Sequence, residues 1–220
     1  MNVTLSKHSR PSLKEQAYER IEEMIVTLEL PPGTLLSEYE LSRQIGIGRT
    51  PVREALQRLA AERLVTPLPR RGIVVAEINL TDMLAILETR RALDRLLASR
   101  AAERGSDAER QALRACAVDM QKAAASGDLR GFMREDRRFD RIAGEASRNR
   151  FAAEASAPLH THCRRFWFRY RDNGDLQQSA ARHIAVMQAI AAGDAEKAGD
   201  ATERLIDYLE TFTRSTIDVY

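Results

Sequence analysis

Three side chains able to read a base pair recur at helical spacing: Arg49, Arg53 and Gln57 stand at i, i+4 and i+8. Arginine grips guanine and glutamine grips adenine with paired hydrogen bonds in the DNA major groove. Val52, Ala55, Leu56 and Leu59 fall on another face at i, i+3, i+4 and i+7, an apolar stripe for a core. Thr50 is placed to cap this helix and Pro51 to open it, because proline's missing N–H has no partner in a first turn. A solvated face would have the same composition, so the neighbouring elements must decide between the two.

Those neighbours form a recognisable frame. Ser37-Glu38-Tyr39-Glu40 reads as a capping box that opens a helix through Leu41 and Ile45, stopping at Gly46. Four residues, Gly46 to Arg49, then separate it from Thr50-Pro51, the spacing of a helix-turn-helix. Upstream, Ser12-Leu13-Lys14-Glu15 starts another helix with Leu13, Ala17, Tyr18, Ile21, Ile25 and Leu28 inward, halted by Pro31-Pro32-Gly33. Downstream, residues 64–68 and 73–76 are β-type runs joined by Pro69-Arg70-Arg71-Gly72, a hairpin with a basic tip. Between Ser42 and Gly72 there are seven arginines against two glutamates, while the whole chain carries a net charge of only +2. That local excess suits contact with phosphate.

The remaining residues predict a run of helices. Of 220 residues, 44% are apolar but only 5% aromatic, which favours helix over sheet. The expected segments are Thr81 to about Arg104, Asp107 to Ser126, Asp128 to about Asn149, one through Phe166-Trp167-Phe168 bent near Pro158, Ser179 to Ala192, and Ala195 to about Ile217. Asn173-Gly174-Asp175 is the expected break between the fourth and fifth. The fold class is thus a winged helix-turn-helix over 1–78 and an all-α six-helix bundle over 79–220. Cys116 and Cys163 lack metal-type spacing and read as packed thiols. No long apolar stretch or signal-peptide pattern is present, so no membrane association and a cytoplasmic location are expected.

Pro31-Pro32-Gly33, Leu41-Ser42, Ile45-Gly46, Arg49 to Leu56 and Arg71-Gly72 together resemble the N-terminal module of GntR-type bacterial transcription regulators. The resemblance implies that Arg49, Thr50 and Arg53 meet the major groove, where the spacing also points Gln57, and that Arg70, Arg71 and Gly72 form a wing tip in the minor groove. Three departures stand out: Tyr39 replaces an arginine common on the second helix, Gly48 a serine or threonine, and Arg63 a glycine before the wing. Glu88 to Asp94, Asp136-Arg137-Arg138-Phe139-Asp140, and Arg182-His183 through Gly193-Asp194 resemble the FCD effector domain of the FadR-like branch, in its shorter VanR-type form.

Many FCD domains hold a divalent metal on one aspartate and three histidines. Residue by residue, that resemblance puts the aspartate at Asp136 and one histidine at His183, with the other positions held by Asp140 and Leu205. A metal is therefore not the favoured cofactor, although Asp136, Asp140 and His183 could hold a hard cation with water. Without one, two carboxylates at i, i+4 repel and need arginines such as Arg90, Arg137 or Arg141. Arg90 matches an arginine that faces the family's effector and has the fork for a carboxylate; its alternative is an ion pair with Asp136 or Glu88. Trp167 either walls the pocket or fills core. His160 and His162 point about 200° apart on a helix, so at most one faces inward.

The implied protein is a homodimer on a near-palindromic double-stranded DNA operator, modulated by a small-molecule effector, most simply a carboxylate, bound at Arg90, Asp136, Asp140, Trp167 and His183. The alternatives are a helical domain that only mediates interactions, or an enzyme using Asp136, Asp140 and His183. Against the enzyme, the chain lacks a Gly-rich phosphate loop, a nucleophile elbow and a metalloprotease motif.

Overall fold

The structure, a computed structural model, describes residues 11–171 and 175–219. The chain divides into two compact units, Met1–Ile78 and Asn79–Tyr220. In the first, α1 spans Leu13–Val26, β1 Leu35–Leu36, α2 Glu38–Ile45, α3 Arg49–Ala61, β2 Val65–Leu68 and β3 Gly72–Val75. The strands form an antiparallel sheet in the order β1-β3-β2, with Leu35 opposite Val74 and Val65 opposite Val75. The two-residue β1 has no periodic signal of its own and was not expected from the sequence.

Helices α1, α2 and α3 bury one face each around Ile21, Met24, Ile25, Leu41, Val52, Leu56 and Leu59, closed below by Leu64 and Val75 from the wing. Fully burying such a side chain contributes about 1.5–3 kcal/mol. Two of the positions expected inward are not in this core. Leu13 is 59% exposed at the open first turn. Leu28 lies beyond the end of α1 with φ 57°, turning the chain toward Leu30, whose N–H reaches back to the Met24 carbonyl.

Caps set the register of α2 and α3. Ser37 accepts a bond from the Glu40 N–H at 3.4 Å, and α2 ends at Gly46 with φ 69°. Nothing lies within 4 Å of where a Gly46 Cβ would be, so backbone conformation rather than space calls for glycine. The Ser42 hydroxyl closes the turn onto the Ile47 carbonyl at 2.6 Å. Helix α3 starts two residues earlier than expected: Gly48 is its N-cap, with no side-chain cap bond, and Thr50 is already helical. The proline at position 51 tolerates this because first-turn N–H groups need no partner.

Arg63, between α3 and β2, holds φ 61° with its side chain exposed. A left-handed residue with a Cβ costs about 1–2 kcal/mol, part of which glycine gives back through its floppier unfolded chain. Arg63→Gly is therefore expected to stabilise this unit by about 1 kcal/mol, read as a higher urea midpoint.

The second unit is six helices: α4 Leu80–Arg104, α5 Asp107–Ser126, α6 Leu129–Ala146, α7 Arg150–Tyr170, α8 Asp175–Ala192 and α9 Ala195–Ile217. Polar caps punctuate them: Asn79, Ser106, Asp128, Asn149 and Asp194 each accept a backbone N–H of the first turn. Pro158 does not end α7, which runs on to Tyr170. The expected break at Asn173-Gly174 lies outside the described residues, and α8 begins at Asp175, four residues before the expected Ser179. Helix α4 packs chiefly along α9, and α5 along α8 and α6. Cys116 and Cys163 are both free thiols inside this unit.

One end of the bundle is tied by arginines of α5. Arg110 donates to the carbonyls of Ala102, Gly105 and Ile190, and Arg114 to that of Ala191. The last carbonyls of α4 and α8, which no intrahelical N–H can satisfy, are bound by these two side chains.

Candidate nucleic-acid interface and effector cavity

On α3 the two faces separate cleanly. Val52, Ala55, Leu56 and Leu59 are buried, while Arg49, Thr50, Arg53 and Gln57 are exposed. Arg49 is 68% exposed and lies 4.0 Å from Glu38 on α2, a loose contact that leaves its fork reachable. The wing tip presents Arg70, Arg71 and Gly72, all exposed. The Arg71 N–H bonds the Leu68 carbonyl, with Arg70 at φ 61° and Gly72 at φ 101°. The Gly72 Cβ position has ordinary room, 3.6 Å from the Leu36 carbonyl, so the positive φ is what favours glycine there.

Arg58 is exposed but already engaged: its guanidinium stacks 3.6 Å from the Tyr18 ring centre and bonds Glu62 and Glu15. Tyr18 in turn donates to Glu62 at 2.7 Å. This arginine tacks α1 to α3.

In the helical unit, buried charge collects between α4, α6, α7 and α8. Arg90 donates to Asp94 at 2.9 Å, so its partner is neither Asp136 nor Glu88. Asp94 also takes the Ser156 hydroxyl at 2.6 Å and His160 Nε2 at 2.8 Å. His160 Nδ1 meets Asp140 at 3.1 Å, and Arg164 donates to Asp140 at 2.5 Å while standing 3.7 Å from Asp136. His183 Nδ1 lies 2.8 Å from the Ser179 carbonyl, which can only accept, so that nitrogen carries a proton. Its Nε2 then faces Asp136 at 3.1 Å, with the rings of Phe132 and Phe139 edge-on around it.

Arg164 and His160 stand against these carboxylates, while Arg141 pairs with Glu145 instead. His160 is the histidine of its pair that faces inward. Two adjoining voids, of about 30 and 20 Å³, share Arg90, Asp140, His160 and His183 as lining. Each has room for a water or two. Trp167 both lines the smaller void and packs on Phe132 with ring centres 5.3 Å apart. Asp94, Ser156, His160 and Arg164 were not among the site residues read from the sequence. The signal was there: Ser156, His160 and Arg164 recur at i, i+4 and i+8, a polar row along one side of α7.

The trio Asp136, Asp140 and His183 does not fit a metal. Arg164 lies against Asp140, His160 takes the same carboxylate, and Leu205 supplies no donor in the larger void. Among the described residues, no group of three His, Cys, Asp or Glu is arranged to hold an ion.

Burial opposes charge on His160, but the carboxylates of Asp140 and Asp94 outweigh it and push its pKa up to about 9 from 6.5. Burial would raise Asp94 and Asp136, but His160 with Arg90, and His183 with Arg164, hold them well below the usual carboxylate range of 3.8. A raised histidine contributes stability that is complete below 6.5 and lost as pH climbs through 9. The depressed carboxylates contribute above 3.8 and lose it as pH falls. The urea midpoint of this unit, followed by the fluorescence of Trp167, is expected to be highest between about pH 4 and 6.5 and to decline toward 9.

Two family models match. "Bacterial regulatory proteins, gntR family" covers residues 13–75, and "FCD domain" covers residues 85–208, more than half of the chain. The chain belongs to the GntR family of FCD-containing regulators. It is a DNA-binding transcription regulator and not an enzyme. Among its relatives, this regulator is 36% identical over 126 residues to an HTH-type transcriptional regulator in the TAR-I ttuE-ttuC' intergenic region of Agrobacterium vitis, covering 56% of this chain and 74% of that one. It is 25% identical to the transcriptional repressor RspR of Escherichia coli K12, over 98% of this chain and 93% of that one. Escherichia coli McbR/YncC has the same fold, with a TM-score of 0.80 at 20% identity over 94% of this chain and all of the other. Among the described residues, no helix of this GntR-family regulator is long and apolar enough to cross a membrane.

Proposed function

We propose that this regulator works in the cytoplasm as a homodimer on a near-palindromic operator, and that a small carboxylate in the helical unit modulates its binding. The DNA half rests on one observation: α3 is sealed behind by Val52, Leu56 and Leu59 while Arg49, Thr50, Arg53 and Gln57 face solvent. In this reading Arg53 and Gln57 reach base edges, and Arg70, Arg71 and Gly72 enter the minor groove beside them. Two-fold protein symmetry then matches two operator half-sites.

The effector half rests on the guanidiniums of Arg90 and Arg164, buried beside voids that also touch Asp136, Asp140, Trp167 and His183. A planar fork in a dry site suits a carboxylate bidentately. The voids hold only a water or two, so an organic acid enters only by opening ion pairs that tie α4, α6 and α7 together. Binding is thereby coupled to helix packing, and operator and effector affinities become linked reciprocally. The small size of the voids also supports a second reading, a helical unit that senses nothing and serves only association.

A thermal-shift screen of the full chain against mono-, di- and hydroxycarboxylates, followed by operator titrations with each hit, separates the two. Stabilisation by one acid together with a changed operator affinity is the expected result. Indifference to every acid, by a protein that still binds operator, would leave the association module.

A further inference from the structure

The family resemblance would set a divalent cation against Asp136 and His183, and this chain has a cation of its own there, with Arg164 3.7 Å from Asp136. We infer that Arg164 replaces the divalent metal, so that the helical unit is organised by an internal guanidinium and needs no metal. The inference builds on the cavity being the effector site, but its test does not depend on which effector enters.

The geometry makes the two cations mutually exclusive. Arg164 donates to Asp140 at 2.5 Å and stands 3.7 Å from Asp136, the carboxylates at two positions that the family resemblance turns toward a metal. A metal ion sits about 2.0–2.2 Å from each carboxylate oxygen it binds. That is the ground the guanidinium already holds, and two cations so close in a dry interior repel strongly. Arg164 is itself held: it also donates to the Thr161 hydroxyl at 3.1 Å, one turn back on α7. His160 fills a second position by bridging Asp94 and Asp140 through its two ring nitrogens. Both nitrogens face carboxylates, so this imidazole has no lone pair to offer an ion.

The substitutions at Asp140 and Leu205 then belong together with Arg164. A histidine at 140 would remove the carboxylate at 2.5 Å and leave Asp136 at 3.7 Å, whereas aspartate gives the guanidinium a close buried partner. A leucine at 205 seals the side of the larger void that would otherwise face the ion.

Tag-free full-length protein tests this directly. Metal content is measured as purified, and thermal unfolding is followed with Mn²⁺, Ni²⁺, Zn²⁺ or EDTA. Well under one metal per chain and an unchanged midpoint in all four are expected. Arg164→Met keeps the length of the side chain and removes its charge, leaving Asp136, Asp140 and His183 without their cation. That variant is expected to bind the same ions at least tenfold more tightly than the parent. Should Arg164→Met not fold, Arg164→Gln, which also removes the charge, takes its place in the titrations, and the parent's metal content still decides. Stoichiometric metal in the parent, with a midpoint that falls in EDTA, would overturn the inference, as would a variant that binds these ions no better than the parent. A failed carboxylate screen would remove the proposed effector and leave these outcomes unchanged.

Discussion

Asp94→Ala is expected to destabilise the helical unit by about 3–5 kcal/mol, the cost of removing one partner from a buried ionic cluster. Asp94 accepts from Arg90, Ser156 and His160 at 2.9, 2.6 and 2.8 Å, which makes it the carboxylate that joins all three. Its loss strands a guanidinium that is 6% exposed and strips His160 of one of its two counter-charges. Against a total stability of about 5–15 kcal/mol for a domain, that is a fifth or more. Urea unfolding read by Trp167 measures it, since this is the only tryptophan and it sits on α7. Asp94→Asn keeps the volume and one acceptor oxygen, so it should fall between parent and alanine. A loss under about 1 kcal/mol, the scale of an exposed pair, would mean that the cluster is solvated and not a buried network.

Arg53→Ala is expected to weaken operator binding by about 1–3 kcal/mol, roughly 5- to 150-fold, with little change at unrelated DNA. Arg53 is exposed on α3 one turn after Arg49, and its neighbours Val52 and Ala55 carry the packing, so the fold should be untouched. Fluorescence anisotropy on an operator selected with the full chain, against a scrambled duplex at one salt concentration, gives both numbers. Equal losses on the two duplexes would recast Arg53 as a phosphate contact, and an unchanged affinity would remove α3 from the interface. Arg71→Ala at the wing should instead weaken both duplexes and flatten the salt slope.

The recognition helix was legible in the sequence because its signal is local. Every residue of its apolar stripe and its basic row lies within eleven positions, and a 3.6-residue period needs no partner to be read. Capping residues at Ser12 and Ser37 are local in the same way, and the helix starts they mark hold to within a residue. The cavity was only half legible. Asp140, His183 and Arg90 were named, but what they touch depends on pairings such as His160 with Asp94, 66 residues apart, and Arg164 with Asp140, 24 apart. Charge counting failed similarly at Arg58, whose place over Tyr18 is a tertiary fact. Thr50 was displaced from the cap because Pro51 fits the third helical position as readily as the first, where the N–H it lacks would still be unpaired.

The arginine tie at the far end of the bundle bears on how a signal could travel. Arg110 and Arg114 fasten the tail of α4 to α5 and to the tail of α8, so that end has little freedom to slide. At 1.5 Å per residue, α4 is a rod of about 37 Å with its anchored end at Arg104 and its other end at Leu80, where the chain arrives from the recognition unit. Arg90 and Asp94 lie between the two, next to the cavity. A 5° tilt about the anchored end carries Leu80 through about 3 Å and Asp94 and Arg90 through about 1–2 Å. The helix is then a lever arm with its fulcrum at Arg110, and a displacement beside the cavity is roughly doubled by the time it reaches Leu80.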